Sequence, residues 1–202
     1  MLDKLTHLFM KFPGIGARQS KRFVYFLLAQ NPEFISELVH EITRLKKIII
    51  RCRGCFRFYQ QIDNDDLCDI CVENKGSAIL LIVEKDADFE NIRRSGSYRG
   101  LYFILGGTIP FLSPDPHSKI RIRELILHIE TCSKEGLSEI ILALSANPEG
   151  DFTREYITKT LFPITEKNNI TITSLGRGLS TGSELEYSDA DTLSNALKNR
   201  GS

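Results

Sequence analysis

Two pairs of cysteines, Cys52-Arg53-Gly54-Cys55 and Cys68-Asp69-Ile70-Cys71, stand twelve residues apart in a chain of 202 residues. A C-x2-C turn delivers two thiolates to one tetrahedral ion, and a gap of this length closes through a short hairpin that brings the second pair to the first. With sulfur at all four positions no site stays open for substrate, so the spacing predicts a structural Zn2+, one per chain. Disulfides would demand an oxidising compartment, and thioredoxin-like exchange uses one pair rather than two. Cys132 stands alone in an apolar helical stretch and reads as a core residue.

A second constellation is Phe12-Pro13-Gly14-Ile15-Gly16-Ala17-Arg18-Gln19-Ser20-Lys21-Arg22-Phe23. Pro13 and the two glycines end one helix and permit a tight turn into the next. The backbone N–H groups at Gly14 and Gly16, with the free amides of the new helix, then face a phosphate. Lys11, Arg18, Lys21 and Arg22 supply positive charge around that turn, an arrangement that grips a nucleic-acid backbone without reading bases. This resembles the helix-hairpin-helix motif of DNA-binding proteins that are not sequence-specific.

A third stretch, LIVEKDADFE at 81–90, runs a hydrophobic strand into Glu84, Asp86, Asp88 and Glu90. Acids at the C-terminal edge of a buried strand suit a magnesium site. A two-metal phosphotransfer centre, however, needs carboxylates converging from several strands. The neighbouring strand instead ends in Ser145-Ala146-Asn147, with no Asp-x-Asp. Asp86 and Asp88 also suit a helix N-terminus electrostatically.

Periodicity supplies the elements that must hold these residues. Apolar positions at helical spacing predict helices over 3–12, 17–30 and 32–47, the last beginning with Asn31 as N-cap and Pro32 at the first helical position. Phe34, Ile35, Leu38, Val39, Ile42 and Leu45 fall on one face of it. Beyond the cysteines, strands are predicted at 79–84, 101–105, 139–144 and 170–175. Helices are predicted at 88–94, 119–133, 152–162 and 189–199. Strands apolar throughout and separated by helices imply a parallel sheet covered on both faces, an α/β fold.

Residues 1–60 carry eleven Lys/Arg against four Asp/Glu, and the remainder carry fifteen against twenty-two, so a formal net charge of zero hides a basic first third and an acidic rest. The basic part suits a polyanion and the acidic part suits a basic protein partner. No apolar run reaches the roughly 18 residues of a membrane span. The N-terminus lacks a secretory hydrophobic region, so the expected location is cytoplasmic, with no membrane partner.

In order along the chain stand PGIG, the two cysteine pairs, LIVE with an acidic helix start, and Tyr98-x-Gly100-x-Tyr102-x-x-Leu105-Gly106-Gly107. Gly150-x-x-Thr153-x-x-Tyr156-Ile157 and Arg177-Gly178-Leu179 follow, leading to Glu184-Leu185-Glu186-Tyr187-x-Asp189. From about residue 2 to 200 the sequence resembles the RecR family of bacterial recombination mediators. The resemblance implies four parts: a helix-hairpin-helix DNA-binding module (1–51), a four-cysteine zinc finger (52–75), a Toprim domain (76–175) and a C-terminal assembly segment (176–202). It implies a non-enzymatic protein that binds double-stranded and gapped DNA, acts with RecO- and RecF-type partners to load RecA at single-strand gaps, and forms a homodimer or ring-like homotetramer. Cys52, Cys55, Cys68 and Cys71 match the family's zinc ligands, Arg18 and Arg22 its DNA contacts, and Glu84, with Asp88 beside it, the acidic edge associated with partner binding. Phe103 replaces a usual His, Ser180 a usual Pro, and FLSPDPHSK at 111–119 a more glycine-rich loop. The alternative is a magnesium-dependent Toprim nuclease or strand-transfer enzyme using Glu84, Asp86 and Asp88.

Overall fold

The computed structural model describes residues 1–61, 65–179, 182 and 184–198, the side chain of Asp191 excepted. Ser180 and the end of the C-terminal segment, from residue 199, lie outside the described residues. The chain divides into two compact units, Met1–Ile50 and Arg51–Ser202.

The first unit is helical: α1 (Leu2–Phe9), α2 (Ala17–Ala29) and α3 (Pro32–Ile48). The first helix stops three residues before its predicted end, because the turn toward Pro13 begins early: the Lys11 and Phe12 amides donate to Leu8 and Phe9 in the tighter three-residue spacing. Asn31 caps α3 as predicted, its side chain accepting from the Phe34 N–H at 2.8 Å. Val24 and Ser20 are buried on α2, and the edge-on contact of Phe9 with Phe23, 5.6 Å between ring centres, joins α1 to α2. No residue of α3 is buried, so the predicted apolar face exists but lies open.

The strand β1 (Ile49–Arg51) crosses the boundary and enters the first cysteine pair, and β2 (Phe58–Gln60) leaves it. The short helix α4 (Asp69–Glu73) has Cys68 of the second pair as its N-cap and carries Cys71. Then come β3 (Ile79–Val83), α5 (Asp86–Ser95), β4 (Leu101–Ile104), α6 (Ile122–Ser133), β5 (Glu139–Ala143), α7 (Pro148–Asn168), β6 (Thr171–Ser174) and α8 (Ala190–Lys198). The four long-range strands form one parallel sheet in the order β4-β3-β5-β6, with Ile82 opposite both Phe103 and Leu142.

Because successive side chains on a strand point to opposite faces, β3 divides its residues between two cores. Leu80 and Ile82 pack with Phe103, Ile140 and Leu142 under Leu125, Ile129, Ile157 and Leu161 of α6 and α7. Leu81 and Val83 pack with Tyr102, Ile104, Phe89 of α5 and the four paired cysteines. One face of the sheet is thus covered by two helices. The other is covered by one helix and the cysteine knuckles, so the knuckles belong to a core and are not an appended module.

Several of the recurring glycines answer to close approach. A Cβ at Gly100 would stand 2.5 Å from the Tyr98 hydroxyl, which donates to the Ile79 and Leu101 carbonyls at 2.9 Å and clamps two strands. A Cβ at Gly150 would overlap the Ser145 carbonyl oxygen in the turn that opens α7. That helix runs six residues beyond its predicted end. Pro163 lies inside it, where its fixed φ is helical but its missing N–H loses a bond and its ring crowds the carbonyl four residues back. Leu161 and Thr165, buried on either side, hold the helix together across the gap.

Candidate nucleic-acid interface and metal centre

In the first unit the turn between α1 and α2 takes the predicted form. Gly14 adopts φ +75°, a left-handed conformation that favours glycine, and nothing lies within 4 Å of where its Cβ would be. Gly16 is the N-cap of α2 and its carbonyl accepts both the Ser20 N–H and the Ser20 hydroxyl. Ser20 is therefore buried and internal, while Lys11, Arg18, Lys21 and Arg22 around the turn are exposed. Arg22 donates to the Gln19 side chain at 3.1 Å. Among the described residues no carboxylate pairs with any of the four. Four unneutralised cations beside a helix start whose first amides are uncapped by any side chain make a site for phosphate oxygens.

In the second unit the four sulfurs of Cys52, Cys55, Cys68 and Cys71 lie within 4.8 Å of one another, all buried. The pairs Cys52–Cys71 and Cys55–Cys68 stand 3.7 and 3.6 Å apart. Thiolates at about 2.3 Å from one tetrahedral centre lie about 3.8 Å from each other, so the donor set fits a metal ion. Hydrogen bonds among the sulfurs pull Cys52 down, that with Cys55 first, and push Cys55 and Cys71 up, those with Cys52 first. Cys68 comes down to about 6; its bond with Cys52 raises it, and those with Cys55 and Cys71 lower it further.

Local structure explains the cluster. The Phe56 N–H bonds back to the Cys52 carbonyl, and the Cys52 N–H to the Arg57 carbonyl, closing the first knuckle. Phe56 accepts φ +64° there, while its ring rests on Phe103 with 5.3 Å between centres. Gly54 is needed because a Cβ would sit 3.1 Å from the Cys71 sulfur and 3.2 Å from Leu67. The Cys55 carbonyl accepts from the Ile104 N–H at 2.8 Å, joining the knuckle to the outer side of β4. The spacing of the cysteines foretold the cluster; it held no signal for Arg57, 6 % exposed against it.

The acids of 84–88 are distributed otherwise than an open edge would require. Glu84 is 5 % exposed, and its carboxylate accepts the Ser145 N–H from the end of β5 at 2.5 Å. Asp86 accepts the Phe58 N–H at 3.0 Å, tying α5 to β2. Asp88 accepts the Lys85 N–H at 3.0 Å and closes the start of α5. Asp88 is half-buried and Glu84 is buried. No three acids meet as a metal site among the described residues; the cysteine cluster alone does.

Comparison with known proteins agrees with this geometry. Residues 78–175 match the Toprim domain and residues 178–200 match the family described as RecR, C-terminal. The chain is 33% identical over 200 residues to Recombination protein RecR of Rickettsia bellii, covering 98% of this chain and 94% of that one. It belongs to the RecR family. Recombination protein RecR of Herpetosiphon aurantiacus is 35% identical over 198 residues, covering 98% and 92% of the two chains. That of Bacteroides thetaiotaomicron is 33% identical over 201, covering 99% and 93%. Within the Toprim range, Thr153 accepts the Ile109 N–H and donates to the Glu149 carbonyl. Arg177 pairs with Asp151, whose carboxyl it holds below the usual range. No helix is long and apolar enough to cross a membrane among the described residues.

Proposed function

We propose that this chain is a DNA-binding recombination mediator in DNA repair, acting in the cytoplasm without catalysis of its own. Membership of the RecR family supports the role in recombination and repair. The observation that carries DNA binding is the turn at Gly14 to Gly16 ringed by four solvent-exposed, unpaired cations. Such a site holds phosphates by charge and amide donors and tolerates any sequence, which suits double-stranded and gapped DNA alike.

The metal of the four-cysteine cluster is read as a structural Zn2+. When bound it would neutralise the four sulfurs and hold both knuckles under the sheet, leaving Cys52, Cys55, Cys68 and Cys71 without a catalytic vacancy. In this reading RecO- and RecF-type proteins dock on the acidic second unit and RecA is loaded at single-strand gaps. Asp88 offers a charge for that docking, and Glu84 contributes through the Ser145 backbone it holds. A homodimer or ring-like homotetramer is supported by the open face of α3, where Val39, Ile42 and Leu45 are each more than half exposed. The enzymatic alternative has little to use, since Glu84, Asp86 and Asp88 are each already hydrogen-bonded to backbone.

The test is binding of gapped duplex DNA by wild type and by Arg18→Ala/Arg22→Ala at several salt concentrations. Wild-type affinity should fall steeply with salt, and the variant should bind more weakly with a shallower slope. Equal affinity at moderate salt would remove the hairpin from the DNA site. Plasmid cleavage in Mg2+ or Mn2+ that Glu84→Gln abolishes would instead restore the enzyme.

A further inference from the structure

We infer that the second unit has a site of its own for a phosphate monoester, the terminal phosphate of a free nucleotide or of a DNA strand end, in the cavity lined by Lys119, Arg121 and Arg123. It shares no residue with the hairpin turn and goes beyond the phosphate grip proposed there. The cavity, of about 530 Å3, takes in Leu105 and Gly106 just past the C-terminal end of β4. Ligands of open parallel sheets bind outside that end of the strands, and the volume suits a mononucleotide.

Arg121 is held in place before any ligand arrives. Its Nη1 donates to the Ile104 carbonyl at 2.8 Å and its backbone N–H to the Leu105 carbonyl at 2.9 Å, while its central carbon stands 5.6 Å from the centre of the Phe56 ring. Gly106 makes the room: a Cβ there would stand 2.9 Å from Nη1. Among the described residues no carboxylate pairs with Lys119, Arg121 or Arg123. Arg121 is half-buried, and its burial, then the like charge of Arg51, disfavour its charged form, with Asp86 and Glu124 opposing. An arriving anion relieves that cost. His117, also in the lining, is pinned to α7 by the Tyr156 hydroxyl, 2.7 Å from its Nδ1.

Three cations on three residues suit a group with three terminal oxygens and close to two negative charges; a carboxylate would be answered by one guanidinium fork. A phosphodiester within a strand offers two free oxygens and one charge. That is a poorer match for a cavity that Asp115 and Glu124 also line, since their charges oppose any anion and only a strong one overcomes them.

Equilibrium dialysis of the purified full-length protein compares deoxyadenosine monophosphate with deoxyadenosine, and fluorescence anisotropy compares gapped duplex with and without a terminal phosphate at the gap. Wild type should prefer the phosphorylated form of at least one probe by about 10- to 100-fold, the worth of a hydrogen bond to a charged group. A preference confined to the nucleotide identifies a free ligand; one confined to the gap identifies a strand end. Lys119→Gln and Arg123→Gln should each reduce the preference, and Glu124→Gln, which removes an opposing charge, should raise it. Arg121→Gln should abolish it; should that variant not fold, Lys119→Gln and Arg123→Gln decide, because both side chains are exposed. The inference is overturned if neither probe shows a preference or if it survives Lys119→Gln and Arg123→Gln undiminished. It is also overturned if Arg18→Ala/Arg22→Ala erases the preference, which would assign it to the hairpin. Failure of the hairpin reading is a different result: that variant would then keep its affinity for duplex whatever the preference for a terminal phosphate.

Discussion

The Glu84 carboxylate and the Ser145 N–H meet at 2.5 Å across the C-terminal edge of the sheet, joining β3 to the loop that follows β5. With Glu84 only 5 % exposed, the bond is an internal brace. Glu84→Ala removes a hydrogen bond to a charged acceptor and should destabilise the fold by about 1.5–3 kcal/mol. Glu84→Gln, which keeps an acceptor, should cost less. Chemical denaturation of the two variants measures the difference. Charge reversal with Lys would bury an unanswered cation, so any loss of partner binding should come with loss of stability, whereas Asp88→Asn tests an accessible acid.

The phosphate contact proposed at the hairpin predicts a graded electrostatic response. Each of Arg18, Lys21 and Arg22 removed should reduce the slope of log affinity against log salt by about one. Gly14→Ala should cost about 1–2 kcal/mol through its positive φ alone, since space around it is open. Fluorescence anisotropy across a salt series, with circular dichroism for the glycine variant, checks both.

Because the knuckles cover one face of the sheet, removing the metal should loosen more than the knuckles. Cys55→Ser or treatment with a strong chelator should lower the melting temperature of the second unit and speed hydrogen exchange along β4, whose Ile104 N–H bonds Cys55. Bound metal should leave as pH falls, because sulfur must be deprotonated to ligate. Metal analysis should return about one Zn2+ per chain.

His128 on α6 packs against Phe103 at 5.7 Å between ring centres and lies 3.5 Å from the Cys132 sulfur. Burial pushes its pKa down, with Glu135 opposing more weakly. The unfolded chain then binds the proton more readily than the folded one. The contribution of a neutral His128 is complete above the ordinary value of about 6.5 and is lost as pH falls through the lower folded value. His128→Leu should flatten stability against pH in that window, as measured by urea denaturation at a series of pH values. Cys132 beside it, pushed up to about 11 by burial, should stay unreactive to thiol reagents at neutral pH.

Pro163 is exposed within α7, so replacing it disturbs no core. Pro163→Ala restores one backbone bond and should stabilise the second unit by about 1–3 kcal/mol. Thermal unfolding would show the rise in midpoint.

The sequence by itself determined whatever depends on local spacing. Cysteines three apart form a knuckle through their own turn, Pro13 with two glycines breaks a helix wherever it stands, and apolar runs between helices imply a parallel sheet. Those readings produced the metal cluster, the hairpin with its cations, and the strands to within two residues. What depends on which groups meet across the chain was decided only by the tertiary structure. Glu84, Asp86 and Asp88 look alike in sequence, as acids at a strand end. Folding sends the first to Ser145, the second to Phe58 and the third to its own helix start, because the N–H a carboxylate can reach depends on which backbone the fold brings beside it. Arg57 shows no periodic or motif signal, yet the packing of Phe89 and Tyr59 against the cysteines encloses it. The helix expected to end at residue 162 runs on through Pro163, because burial of Leu161 and Thr165 on both sides outweighs one missing bond.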